Sequence, residues 1–132
     1  MIHNNYLKDR LHQKLVGTHI SMTDSIVSEM EGRLGYDFIW IDTEHSEISY
    51  TNLRNHITAV NAGGTPAIVR VSMNDYNHVK RVMEMGPDGI IFPMINTAEQ
   101  AQAAMEFCMY PPEGRRGFGP LRAVNYGLDD MD

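Results

Sequence analysis

Short apolar runs alternate regularly with longer amphipathic segments along this chain, and this pattern limits the folds open to it. The runs cover residues 15–20, 37–41, 67–71 and 89–92, and each contains Ile, Val, Phe or Trp. They are too short for helices and lack the strict alternation of a half-exposed strand. They therefore predict parallel strands that are buried on both faces.

The amphipathic segments that follow these runs predict four helices. In the second segment Leu53, Ile57 and Val60 share one helical face, and Gly63-Gly64 is a typical helix end. In the fourth, Thr97 and Gln100 have the spacing of a capping box. The apolar faces of the first, third and fourth segments consist of Ile26, Val27, Met30 and Leu34, of Val79, Val82 and Met83, and of Ala98, Ala101, Met105 and Cys108. Four strand-then-helix units in this order predict an α/β fold with right-handed crossovers.

Two architectures accept four such units within one domain spanning residues 1–132. One is a small open, doubly wound sheet, and the other is the first half of a (β/α)₈ TIM barrel. The chain has 132 residues, whereas a complete barrel typically has ~250. Length favours the open sheet, but the residues at the strand ends favour the half-barrel.

Charge and composition exclude several classes of partner. The chain carries 11 basic and 17 acidic residues, a formal net charge of −6, and no basic run, which argues against nucleic acid and acidic membranes as partners. No apolar stretch is long enough to cross a bilayer, and residues 1–10 lack the apolar segment of a signal peptide. We therefore expect a cytoplasmic protein. The single cysteine, Cys108, excludes an intrachain disulfide and a multi-cysteine metal cluster.

Polar side chains collect where the second and third predicted strands end. Asp42, Glu44 and His45 follow the second run, and Arg70 lies at the end of the third. In parallel α/β folds the carboxyl ends of the strands meet at one edge, where catalytic groups are found. Each residue taken singly is typical of a solvated loop, but their convergence on one edge makes a candidate site.

Four separated motifs resemble the HpcH/HpaI aldolase family, which includes 4-hydroxy-2-oxoheptanedioate and 2-keto-3-deoxy-sugar-acid aldolases. The motifs are residues 38–45 (FIWIDTEH), 66–71 (PAIVRV), 88–97 (DGIIFPMINT) and 110–119 (YPPEGRRGFG). They occur in the family's order and cover nearly the whole chain, which makes the resemblance specific. The resemblance implies the N-terminal half of a (β/α)₈ barrel.

The resemblance also implies an activity and roles for three residues. The family's enzymes are class II aldolases, which reversibly cleave 2-oxo acids to pyruvate and an aldehyde without a Schiff-base lysine. His45 matches the family's base, a task suited to imidazole. Arg70 matches the cation that binds the substrate and stabilises the enolate. Glu84 stands where the family has an aspartate that orients the histidine; the alternative is a surface glutamate at a helix end.

The family's divalent metal, which is Mg, Mn or Co, is held by a glutamate and an aspartate on strands five and six. The resemblance therefore places no metal ligand within these 132 residues, and we expect the chain alone to be inactive. The implied partners are pyruvate, an aldehyde and further copies of the protein in a homo-oligomer.

The alternative function is that of a non-catalytic half-barrel, which serves as a binding or assembly module or is a truncated remnant. A flavodoxin-type domain is disfavoured because residues 21–23, after the first strand, include no phosphate-binding glycine.

Other residues are assigned to structure. His56 and His78 are predicted on solvated or boundary helix faces. Met83, Met85, Met94 and Met105 are predicted as packing residues, and Cys108 as a small buried hydrophobe.

Overall fold

The computed structural model describes residues 6–128 and alternates four strands with four helices. The acidic segment 129–132 lies outside the described residues. The elements are β1 (Gly17–Ile20), α1 (Ser25–Gly32), β2 (Phe38–Asp42), α2 (Tyr50–Gly63), β3 (Ala67–Arg70), α3 (Tyr76–Glu84), β4 (Gly89–Ile91) and α4 (Ala98–Cys108). Short 3₁₀ turns at Lys8–Arg10 and Arg122–Gly127 flank them.

The four strands form one parallel sheet in the order β1-β2-β3-β4. This confirms the predicted βα units. A doubly wound sheet would reverse its strand order at a switch point, whereas consecutive order is that of a barrel. Ile39, Ile41 and Val69 point to the helices and are fully buried, whereas Trp40 and Ile68 alternate with them on the opposite, partly open face.

Capping residues determine where α2, α3 and α4 begin, at the edge of the sheet where the strands end. Ser49 and Asn52 form a capping box at the start of α2, Asp75 caps α3, and Thr97 and Gln100 form the predicted capping box of α4. Gly64 ends α2 with a φ of 98°, as its sequence predicts. Among residues 6–128, no helix combines the length and apolarity that a membrane span requires.

The predicted core face of α1 is wrong. Ile26, Met30 and Leu34 are 65%, 64% and 68% exposed, and the buried residues of the helix are Ser28 and Gly32. A Cβ on Gly63 of α2 would lie 2.6 Å from the carbonyl carbon of Gly32. The two helices therefore touch through backbone, and α1 turns its small residues to α2 and its large apolar residues to the opposite side.

The same contact explains why the prediction for His56 is wrong. This α2 side chain is fully buried, and its Nδ1 lies 2.5 Å from the hydroxyl of Ser28. Burial lowers the pKa of the His56 imidazole. The small residues of α1 make room for a ring that sequence periodicity assigned to a boundary face.

The predicted face of α4 is also wrong. Ala98, Ala101 and Met105 are exposed, and the helix is anchored by Ala104 and Phe107, whose ring lies 5.7 Å from that of Tyr76. Met94 is 78% exposed rather than packed. Met83, Met85 and Cys108 do pack against the core, and burial raises the pKa of the Cys108 thiol.

Candidate active site

Asp42 and Arg70 form the centre of the charged edge. They are register partners at the ends of β2 and β3, so their side chains leave the sheet on the same face. Arg70 donates from Nη2 to Asp42 Oδ2 at 2.6 Å and from Nε to Asp42 Oδ1 at 3.1 Å. This is the two-point geometry that makes arginine–carboxylate pairs strong.

The pair shifts the pKa of both groups. Burial alone would raise the pKa of Asp42, but hydrogen bonds from Arg70 and from the amides of Glu44 and His45 outweigh it and lower that pKa to about 2. The hydrogen bond to Asp42 raises the pKa of Arg70 further above its ordinary value. Both groups are therefore charged at any working pH.

Glu44 connects Arg70 with His45. Its Oε2 lies 3.2 Å from Arg70 Nε and 3.5 Å from His45 Nε2. The side chain of Glu44 is 19% exposed, whereas that of His45 is 71% exposed. His45 therefore presents its ring to solvent while one nitrogen faces a held carboxylate.

The backbone of the turn between β2 and α2 is fixed by the same residues. Asp42 Oδ1 accepts hydrogen bonds from the amides of Glu44 at 2.9 Å and His45 at 3.2 Å, the pattern of an Asx turn. The hydroxyl of Ser46 donates to the carbonyl of Asp42, and the hydroxyl of Thr43 donates to the carbonyl of Arg70 at 2.6 Å. The backbone of His45 is thus tied to both strands.

Two aromatic rings continue the site onto the open face of the sheet. The guanidinium carbon of Arg70 lies 4.7 Å from the centre of the Trp40 ring, within the range of a cation–π contact. The Trp40 ring lies 5.7 Å from that of His19, its register partner on β1. The row of His19, Trp40 and Arg70 spans three adjacent strands.

The structure does not bring Glu84 to His45 within one chain. Glu84 is the last residue of α3, and its Oε1 lies 3.5 Å from Arg116 Nη2. The next connection carries Asp88, whose carboxylate accepts from the Ala67 amide at the start of β3. A helix between parallel strands runs against them, so its last residue lies at the edge opposite His45. The orienting role of Glu84 stays a prediction.

The residues that the structure describes do not fit a divalent metal. Among residues 6–128, no three His, Cys, Asp or Glu side chains come together as a ligand set. The two carboxylates nearest His45 are already engaged by Arg70. A metal site of three or more oxygen or nitrogen ligands is not formed by this stretch of chain.

Sequence analysis placed Asp42 at the candidate site without a specific role and did not include Trp40, although both contact Arg70. A signal for Asp42 was present, because its place at the end of one strand and that of Arg70 at the end of the next make the two side chains neighbours. The contact of Trp40 had no such signal. Its place inside an apolar run identified it as a strand residue and not as a partner of a cation.

A parallel α/β half-barrel with its charged groups past the strand ends matches the N-terminal half of a TIM-barrel aldolase. The chain belongs to the HpcH/HpaI aldolase/citrate lyase family, whose profile matches residues 16–127.

Relatives and a solved structure agree with this assignment. The chain is 36% identical over 120 residues to a hydroxypyruvate/pyruvate aldolase of Roseobacter denitrificans, covering 89% of this chain and 47% of the relative. It is 35% identical over 113 residues to a 2-dehydro-3,6-dideoxy-6-sulfogluconate aldolase of Pseudomonas putida, covering 85% and 44%. The crystal structure of an HpcH/HpaI aldolase/citrate lyase family protein from Burkholderia cenocepacia superposes with a TM-score of 0.87 at 28% identity. The superposition covers 95% of this chain and 52% of that structure. The chain therefore spans about half the length of the relatives it matches.

Proposed function

We propose that this chain supplies the base and the enolate-stabilising cation of a class II aldolase that reversibly cleaves 2-oxo acids to pyruvate and an aldehyde. The observation that carries the proposal is that His45 Nε2 and Arg70 Nε both lie within 3.5 Å of the same Glu44 oxygen. A base and a fixed cation at this spacing can act on one small substrate.

Cleavage of a 4-hydroxy-2-oxo acid needs both groups. A base removes the proton of the 4-hydroxyl while the bond between C3 and C4 breaks, and negative charge develops on the oxygen at C2. His45 takes the proton on Nδ1, since Nε2 faces Glu44, and an exposed imidazole suits this transfer. Arg70 stabilises the enolate oxygen, because a preorganised cation acts where charge develops.

One nitrogen of Arg70 remains for the substrate. Nε and Nη2 are bound by carboxylates, and Nη1 makes no hydrogen bond within residues 6–128. Asp42 and Glu44 thus hold the guanidinium in place without using all of its donors. This arrangement supports Arg70 as a substrate-binding as well as a charge-stabilising residue.

The family is generally metal-dependent, and we infer that Mg, Mn or Co is held by parts of the protein outside this chain. The described residues provide no ligand set, so the chain alone is proposed to be inactive and the complete enzyme a homo-oligomer. The alternative function, a non-catalytic binding or assembly module, is supported by the exposed apolar side chains of α1.

The test is pyruvate release from a 4-hydroxy-2-oxo acid by the intact protein that carries this chain, with His45→Ala and Arg70→Ala variants. Each variant is expected to lose at least about 100-fold in kcat. The exposed His12 lies outside the site, so His12→Ala is the matched control and retains full activity. Turnover that survives His45→Ala contradicts the role given to that residue.

A further inference from the structure

A groove of about 530 Å³ lies on the side of His45 formed by the loops after β1 and β2. Residues 21–24 form one wall, and His45, Ser46 and Glu47 form the other. Arg70 does not line this groove. His45 therefore separates two regions, one containing the guanidinium and the other containing this groove.

The groove is acidic and rich in hydroxyl groups. Asp24 and Glu47 are exposed carboxylates in its walls, and none of the described residues lining it is Lys or Arg. Asp24 uses Oδ1 to cap α1 through the amide of Ile26, which leaves Oδ2 for the groove. Ser21 and Thr23 add exposed hydroxyl side chains.

In the proposed reaction each of the two regions would contact a different part of the substrate. When C3–C4 breaks, the proton of the 4-hydroxyl goes to His45, the electron pair of the C3–C4 bond forms the pyruvate enolate, and C4 leaves as the aldehyde carbonyl. Arg70 binds the enolate portion, so the substituent on C4 extends past His45. The groove is lined by His45 and is therefore within reach of that substituent.

We propose that this groove is the aldehyde subsite and that it selects neutral, hydroxylated aldehydes over aldehydes that carry an anionic group. The inference rests on the proposed aldolase function. Two carboxylates repel a phosphate, carboxylate or sulfonate at the end of the aldehyde, since like charges at close range disfavour binding. Hydroxyl groups on the aldehyde hydrogen-bond to the same carboxylates and to Ser21 and Thr23.

The test compares three three-carbon aldehydes as acceptors for pyruvate in the intact protein: propanal, glyceraldehyde and glyceraldehyde 3-phosphate. We expect kcat/KM for glyceraldehyde to exceed that for each of the other two at least about tenfold. Added salt should reduce the difference in kcat/KM between glyceraldehyde and glyceraldehyde 3-phosphate, because salt screens the exposed charges.

The variant Asp24→Asn/Glu47→Gln removes both charges, and asparagine at position 24 keeps the helix cap. It is expected to raise kcat/KM for the phosphate at least about fivefold and to lower kcat/KM for glyceraldehyde, because the hydroxyl groups of that aldehyde lose their charged acceptors. The control Glu99→Gln/Glu113→Gln removes two exposed carboxylates that do not line the groove, and it leaves all three values unchanged.

Two failures are distinguishable. If glyceraldehyde and its phosphate react equally in the wild type, or if the charge-removing variant changes both equally, the groove is not the aldehyde subsite although the aldolase reaction stands. If pyruvate adds to none of the aldehydes, the proposed function fails and this inference fails with it.

Discussion

Asp42 binds Arg70 with both carboxylate oxygens while one of them, Oδ1, also accepts the amide of His45. One side chain thus fixes the guanidinium of Arg70 and the backbone of His45, the proposed base. We expect Asp42→Asn to lower kcat/KM for pyruvate release about 10- to 100-fold. Arg70 would lose one of its two carboxylate partners and the two-point contact that orients its guanidinium. Steady-state kinetics of the intact protein measure this. Asp9→Asn, at an exposed position away from the sheet, is the control; equal effects of both variants contradict the prediction.

The same pair makes stability depend on acid pH. The pKa of Asp42 is lowered from 3.8 to about 2, so its contribution is complete above pH 3.8 and is lost as the pH falls through about 2. The contribution amounts to about 2 kcal/mol at neutral pH. Urea unfolding at pH 6, 4 and 3 should show a steeper loss in the wild type than in Asp42→Asn. Parallel pH profiles of the two proteins would show that the pair does not carry this dependence.

Gly63→Ala should destabilise the protein although alanine favours helices. The added methyl meets the backbone of Gly32 at 2.6 Å, and backbone cannot move aside as a flexible side chain can. We expect a loss of about 2 kcal/mol in the free energy of unfolding, against a gain of up to ~1 kcal/mol at an open helix position. Asn55→Ala, exposed on the same helix, is the matched control and should be neutral or stabilising. Chemical denaturation of both variants measures the change in the free energy of unfolding and its sign.

The chain of 132 residues by itself should self-associate. Ile26 and Met30 are 65% and 64% exposed on one side of α1, and exposed apolar patches of this kind drive association. Sedimentation velocity is expected to show oligomers whose share grows with concentration. Ile26→Gln/Met30→Gln should shift the chain toward monomer, whereas Glu29→Gln, also exposed on α1, should not. A wild-type monomer at high concentration contradicts the expectation.

The isolated chain should release no pyruvate from a 4-hydroxy-2-oxo acid in the presence of Mg²⁺, Mn²⁺ or Co²⁺. The described residues provide His45 and Arg70 but no ligand set for a cation. Without a chelated substrate these two residues supply only proton transfer and charge stabilisation. A coupled assay with and without chelator measures the turnover. Chelator-sensitive activity of the chain by itself would mean that its own carboxylates assemble a metal site.

Sequence alone predicts the strands and helix starts because these depend on local patterns. The apolar runs identify the strands to within a few residues, and Thr97 and Gln100 form the expected capping box. The apolar faces of α1 and α4 are not predictable in this way. Which side of a helix is buried depends on its neighbour, and at α1 the backbone contact of Gly32 with Gly63 determines it.

The same distinction between local patterns and contacts distant in sequence applies to the candidate site. His45 and Arg70 could be placed on one edge because parallel strands share a direction, and the structure joins them through Glu44. The motif match alone did not place Glu84, but the predicted order of strands and helices could have, because a helix between parallel strands ends at the edge opposite the strand ends. The full burial of His56 depends on Ser28, 28 residues away, a distance that no local pattern spans.

The consecutive strand order has a consequence for exchanging parts between related proteins. Asp42 and Arg70 belong to β2 and β3, the two inner strands of the described sheet, whereas β1 and β4 form its edges. A chimera that joins this chain to the second half of another family member would alter strand pairing at the edges and leave the contact between the inner strands untouched. His45 and Arg70 would therefore pass to the hybrid as a preassembled unit, and the donor of the second half would supply the other residues around them.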